Sequence, residues 1–128
     1  MAVHAALIAW GPEAAAALGR ASTSEGDLID WQQDVTEGTA QLWRIGGESV
    51  GYLLTRVETY ANDADELVLV AAAGVNGRPV IEWAMKLAAN YGIESIRTHI
   101  KRPGLQRIYE RLGWHCAERV MRVFSDGR

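Results

Sequence analysis

Apolar residues in this chain recur in two periods, and the switches between them lay out its elements. Val3 to Trp10 is a short apolar run closed by Gly11-Pro12, which reads as a strand. Pro12 to Leu18 is alanine-rich and stops at Gly19, the pattern of a short helix. Ser24 stands as an N-cap for a second helix, with Leu28, Trp31 and Val35 on its apolar face and Gly38 at its end. Three strand patterns follow. They are Thr39 to Ile45, then Ser49 to Val57 after the hairpin signal Gly46-Gly47, then Glu66 to Ala72 after a polar turn over Ala61 to Asp65. The last of these is apolar on both faces, as a central strand is. A Gly-rich loop from Gly74 to Pro79 leads into a strongly periodic helix bearing Val80, Trp83, Ala84, Leu87, Ala88 and Tyr91, ended by Gly92. Ile93 to Ile100 reads as another strand. Trp114 to Phe124 reads as one long strand or a hairpin around Glu118.

Early strands in a meander imply antiparallel pairing. An apolar strand feeding a helix and then another strand implies a parallel crossover. The order therefore predicts an α/β fold: a mixed central sheet of about six or seven strands with helices on both faces, in one domain spanning 1–128.

Composition narrows the class. With 48% hydrophobic residues the chain reads as globular, and no apolar run reaches the length of a membrane span. No basic region precedes the first apolar stretch, so no signal peptide is read. Cys116 is the single cysteine, which excludes a disulfide within the chain and fits a reducing, cytoplasmic setting. In a strand beside Trp114 it is expected to be a buried small hydrophobe. His4, His99 and His115 are scattered, without metal-ligand spacing. The net charge of −3 hides an asymmetry. Residues 1–64 set three arginines against nine carboxylates, and residues 65–128 set ten cations against seven. Arg97, His99, Lys101, Arg102, Arg107 and Arg111 fall within one short stretch, yet without the interleaved aromatics of a base-stacking surface. A solvated basic face is the simpler account, and nucleic-acid binding ranks last.

The most specific local pattern runs from Arg102 to Trp114. Pro103 suits a first helical position. Leu105, Ile108, Tyr109 and Leu112 share one face, Gln106, Arg107, Glu110 and Arg111 the other, and Gly113 stands where a left-handed terminator belongs. A tyrosine one turn before a helix-ending Gly-aromatic pair resembles the late helix of the GNAT acyltransferases. The resemblance spans about Glu66 to Phe124. Upstream it rests on element order alone.

That resemblance implies a fold, a cofactor and a set of roles. The backbone of Val70, Ala71 and Ala72 would meet the pantetheine arm of acetyl-CoA. The turn carrying Asn76, Gly77, Arg78 and Val80 would hold its pyrophosphate, as unpaired helix-start N–H groups do. Tyr109 would be the general acid, and Glu66 the base that deprotonates an amine. Three positions depart from the family pattern: Asn76 replaces Gln or Arg, Pro79 removes an N–H, and Ile81 puts a branched side chain where the family keeps room for phosphate. Arg102 stands where the family often has asparagine. From spacing alone, Tyr109 also reads as a core aromatic and Glu66 as a solvated strand-end charge.

Two function classes follow. One is acetyl transfer from acetyl-CoA to a primary amine, of a small molecule or a protein. The other is a non-catalytic GNAT-fold module, binding a protein partner or itself. Val70-Ala71-Ala72-Ala73-Gly74, Arg102-Pro103-Gly104 and Gly113-Trp114 also resemble small phage-encoded GNAT-like proteins, which implies a virion-associated setting for the second class. Trp31, Trp83 and Trp114 are expected in the core, with Trp10 and Trp43 as interface anchors if exposed.

Overall fold

Chain order and sheet order coincide. The computed structural model describes residues 3–22, 25–46, 50–75, 77–100, 103–117, 121 and 125. Its elements are β1 (His4–Ile8), α1 (Pro12–Gly19), α2 (Glu25–Glu37), β2 (Gln41–Gly46), β3 (Gly51–Thr59), β4 (Asp65–Ala73), α3 (Gly77–Asn90), β5 (Ser95–Thr98) and α4 (Pro103–Arg111). The strands lie side by side as β1-β2-β3-β4-β5. The first three junctions are antiparallel, and β4 pairs β5 in parallel, with α3 as the crossover.

Alternation along β2 and β3 gives the sheet two apolar faces. On one, Leu42 lies opposite Leu54 in the antiparallel register. There Leu42, Tyr52, Ala71 and Ala73 meet Ala14, Ala17 and Leu18 of α1 and Leu28, Trp31 and Val35 of α2. On the other, Leu67 and Leu69 pack on Ala84 and Ala88 of α3, while Ile45 and Leu53 pack on Val80. Leu18 and Ala84 are wholly buried, and Leu42 and Leu54 nearly so. All five tryptophans pack against these clusters, so Trp10 and Trp43 join the core. Trp43 meets Trp83 edge to face with ring centroids 4.9 Å apart, tying β2 to α3. Its indole N–H donates to the Thr55 hydroxyl at 2.9 Å, which satisfies the one polar atom the ring brings inward.

Several expectations are corrected. Among the described residues the sheet has five strands, fewer than the six or seven expected. Residues 114–117 are not strand, and most of the segment from Glu118 to Phe124 lies outside the described residues, as do Ser24, Gly47 and Glu48. Cys116 is exposed and outside any strand, because the chain leaves α4 along the surface. β5 is shorter than the apolar run Ile93 to Ile100. Ile93 belongs to the end of α3, donating its N–H to the Ala88 carbonyl at 2.9 Å and packing beside Trp114. The Gly-rich loop is shorter too, since α3 already begins at Gly77 and Pro79 sits inside its first turn, where its fixed φ is tolerated.

The turn from β4 into α3 crosses the start of β3 at backbone contact distance. A Cβ on Gly51 would stand 2.7 Å from both the carbonyl carbon and oxygen of Gly74, and Gly74 itself has φ +68. Backbone cannot yield as a side-chain tip does, so Gly51→Ala must spread β3 from that turn. A loss of roughly 1–3 kcal/mol is expected, the cost of overpacking, read as a lower unfolding midpoint in urea. Gly46→Ala is the control, because its added methyl meets nothing closer than 3.7 Å.

Candidate functional site

β4 is asked to pair on both sides and does so for only part of its length. Its ladder with β5 runs from Glu66↔Ser95 to Leu69↔Thr98 and stops. With β3 it continues to Tyr52↔Ala73, but the register slips where Leu54 faces Ala71 and Thr55 faces Leu69. Val70 is the extra residue of that bulge. The two parallel strands therefore form a fork that opens at Leu69 and Thr98. Beyond it, the β5-facing backbone of Val70, Ala71 and Ala72 has no strand partner among the described residues. A row of unpaired backbone groups is what an extended amide-bearing chain can pair with.

The helix start lies one short turn further on. Asn76 is outside the described residues. Gly77 and Arg78 are the first two residues of α3, and a Cβ on Gly77 would meet nothing within 4 Å. No carboxylate stands in this first turn to compete for its positive dipole end. Arg78 is exposed and pairs with Glu82 at 3.1 Å. Pro79 brings no N–H and the Val80 N–H is spent on the first intrahelical bond, against expectation for Val80, which leaves those of Gly77 and Arg78 as the free first-turn donors. Val80 and Ile81 are both buried, Ile81 at 3% exposure. The Ile81 side chain thus fills the core and does not crowd the turn, against expectation.

Tyr109 stands beside Trp114, which itself packs on the Leu67 and Leu69 cluster. The end of α4 explains the tyrosine–glycine–tryptophan pattern in physical terms. Trp114 N–H donates to the Tyr109 carbonyl at 3.1 Å and Gly113 N–H to the Glu110 carbonyl at 3.1 Å, with Gly113 at φ +93. This is a Schellman motif, and its usual apolar contact is here the Trp114 ring set edge-on to Tyr109, centroids 4.7 Å apart. The same residue that terminates the helix therefore fixes the phenol. Tyr109 is half-buried. Burial pushes its phenol above the usual value near 10, and hydrogen bonding from Thr98 works the other way without cancelling it. Thr98 is the last residue of β5 and donates to the Leu69 carbonyl at 3.3 Å, at the point where the strands part. Sequence reasoning missed it. Its one visible signal is a hydroxyl two residues after Ile96, on the same face of the strand.

Glu66 lies elsewhere. It is three residues back along β4, roughly 10 Å at strand rise, in the closed end of the fork. Its carboxylate accepts from the Tyr60 hydroxyl at 2.7 Å and the Ser95 hydroxyl at 2.7 Å, and pairs with Arg97 at 3.1 Å. Arg97 also reaches Glu58 at 2.9 Å, and Glu58 holds Arg56 at 2.8 Å. The Tyr60 hydrogen bond, with Ser95 and Arg97 behind it, holds the Glu66 carboxyl below its usual range despite its partial burial. The structure thus leaves the backbone of Val70, Ala71 and Ala72 open at the fork, sets the start of α3 one turn away, holds Tyr109 against Trp114, and leaves Glu66 in a three-strand ion network. His99, Arg107 and Arg111 are exposed, and Lys101 and Arg102 lie outside the described residues. Among the described residues no His, Cys, Asp or Glu group is placed to hold a metal, and no helix is long and apolar enough to cross a membrane.

Solved structures share this fold. An acetyltransferase from Trypanosoma brucei superposes with a TM-score of 0.67 at 11% identity, covering 95% of this chain and 99% of that one. A ribosomal-protein-alanine N-acetyltransferase from Brucella melitensis biovar Abortus gives 0.66 at 11%, over 96% and 99%. A predicted acetyltransferase from Clostridium acetobutylicum, solved with acetyl-CoA, gives 0.65 at 7%, over 95% and 96%. No family model and no curated protein matches the sequence. The likeness is one of fold, and the fold is that of the GNAT acetyltransferases.

The Glu66 network predicts a pH-dependent stability. A carboxyl whose folded pKa lies below the unfolded value of 4.5 stabilises fully above that value. The contribution is lost as pH falls through the folded pKa. Glu66→Gln is therefore expected to lower the unfolding free energy at pH 7 by roughly 1–3 kcal/mol. The gap to the parent protein should close in strong acid. Paired urea denaturations across that range check it, and a gap independent of pH would refute the assignment.

Proposed function

We propose that the chain is an acyl-CoA-dependent N-acyltransferase that moves an acetyl group to a primary amine. The observation that carries this reading is the fork, with an open β4 backbone at Val70 to Ala72 and a half-buried phenol braced by Trp114, which packs on the Leu67 and Leu69 cluster. Acetyl-CoA, when bound, supplies an activated thioester whose leaving thiolate needs a proton.

The residues present suit that group in two places and weakly in a third. The unpaired backbone of Val70, Ala71 and Ala72 suits the amides of a pantetheine arm. The N–H groups of Gly77 and Arg78 and the open space at Gly77 suit a diphosphate. Pro79 subtracts one donor there. Tyr109 holds a phenolic proton at neutral pH as any tyrosine does, burial only raising its pKa further, and a phenol can give that proton to the thiolate and later recover it. The amine loses its proton to solvent or to a carboxylate. Glu66 is the sequence candidate, but three donors already engage its carboxylate and hold its pKa down, which makes it a weaker base. Its role in this reading is to hold the closed end of the fork.

The alternative is a non-catalytic GNAT-fold module, phage-borne or otherwise, taking a protein partner. Pro79 is the observation that favours it. Calorimetric titration with acetyl-CoA separates the two, with desulfo-CoA as a non-reactive control. Saturable one-to-one binding at micromolar strength is expected, and absence of heat and of thermal stabilisation at millimolar ligand would point to the module. Tyr109→Phe preserves the ring packed on Trp114 and removes the proton. A fall in kcat of about 10²-fold or more is expected, with the parent rate itself declining as pH rises through the raised phenol pKa. An unchanged rate with a good amine acceptor would leave Tyr109 a packing residue.

A further inference from the structure

The geometry points to Gly51 as a positioning residue for the start of α3: its bare backbone lets the turn out of β4 lie close, and that contact sets where the Gly77 and Arg78 N–H groups stand relative to the open backbone of Val70 to Ala72. Gly51 opens β3 and is buried, while Gly74 in the turn is exposed. The β3–β4 ladder runs to Tyr52↔Ala73, and Gly51 and Gly74 are the next residues along, where the ladder ends. There β4 leaves the sheet with Gly74 at φ +68, a left-handed conformation that suits glycine. A Cβ on Gly51 would stand 2.7 Å from the Gly74 carbonyl carbon and oxygen and 2.8 Å from Val75 Cγ1. A Cβ on Gly74 would meet the Val50 carbonyl oxygen at 3.1 Å. The contact is therefore backbone against backbone, made from both sides by residues without side chains.

The turn has little slack. Three residues carry the chain from Gly74 to Gly77, roughly 10 Å at full extension. Val75 packs with Ile45, Leu53 and Val80, and Val80 already belongs to the first turn of α3. Further along the helix, Ala84 and Ala88 are held on Leu67 and Leu69. A turn lifted off Gly51 therefore passes its movement to the start of α3, while the rest of the helix stays on the sheet. A ligand that pairs with β4 at one end and sits on Gly77 and Arg78 at the other spans a distance that Gly51 sets.

The identity of that ligand rests on the acyl-CoA reading, but the first test needs no ligand. Gly51→Ala is compared with Gly46→Ala, whose added methyl meets nothing closer than 3.7 Å. Amide NMR of the free protein is expected to show the Gly77 and Arg78 resonances displaced in Gly51→Ala together with those of Gly74 and Val75. The Leu67 and Ile96 resonances, in the closed end of the fork, are expected to stay, and Gly46→Ala should leave α3 unmoved. If Gly74 and Val75 move while Gly77 and Arg78 do not, the turn yields by itself and the positioning role is overturned. With acetyl-CoA and an amine acceptor, Gly51→Ala is expected to raise KM for acetyl-CoA about tenfold with kcat within about twofold. A fall in kcat at unchanged KM would place the strain at the reacting centre and overturn the role as well. Val75→Ala serves if Gly51→Ala does not fold. It adds no atom, and it cuts the tether between turn and core. It is expected to displace the same two amides and to raise the same KM about threefold or more, and no change in either overturns the role. Amides that move as expected in a chain that binds no acetyl-CoA leave the positioning role standing and remove the transferase reading alone.

Discussion

Everything in the candidate site depends on β4 having two neighbours with different claims on it. β3 holds the strand along its whole length, with one bulge, while β5 holds it for four residues and then departs. A strand in mid-sheet ordinarily spends all its backbone groups on its neighbours. Here the claim lapses at Leu69, and the groups of Val70 to Ala72 are left for something else. The bulge belongs to the same event, because an extra residue at Val70 increases local twist and turns the far half of β4 away from the line of β5.

The closed half of the fork must then be held firmly, and its chemistry is suited to that. Arg97 on β5 reaches Glu66 on β4 and Glu58 on β3, so a single guanidinium spans three strands. Such a pair in full solvent would contribute little. These groups are partly covered, their geometry is bonded at both ends, and Tyr60 and Ser95 occupy the remaining carboxylate positions of Glu66. The side chains that look most like acid–base chemistry in isolation are thus consumed by architecture. In the proposed reading the chemistry falls to the open end, to backbone groups and a phenol.

What the sequence discloses follows from how local each feature is. The end of α4 is contained in thirteen residues, and its whole logic could be read there: Pro103 to begin, Gly113 to stop, Tyr109 and Trp114 held together by the motif that stops it. α3 was equally legible from its apolar period. The fork was not, since nothing in Ile93 to Ile100 says that pairing ends at Thr98, or that Ile93 belongs to the preceding helix. Ile81 misled for a related reason. Aligned by motif it fell in a phosphate turn, but α3 begins early enough at Gly77 to rotate its side chain into the core. Cys116 misled because Trp114 packs inward and the residues after it do not stay beside it. Thr98 carried little signal in the sequence, because its place is set by pairing with Leu69 on another strand.

A site of this composition also accounts for the odd pairing of a full-length fold match with identities of 7 to 11%. Backbone N–H and C=O groups are the same whatever side chain they carry. A strand that parts from its neighbour and a helix that starts at a glycine can keep their geometry while nearly every residue changes, provided the core volumes are conserved. The side chains such a site cannot exchange are few. In the proposed reading they reduce to one phenol and the ring that braces it. That is also why Pro79 is the residue on which the whole reading turns. It is a change in the backbone itself, in a site made mostly of backbone, and no side chain elsewhere can supply the N–H it removes.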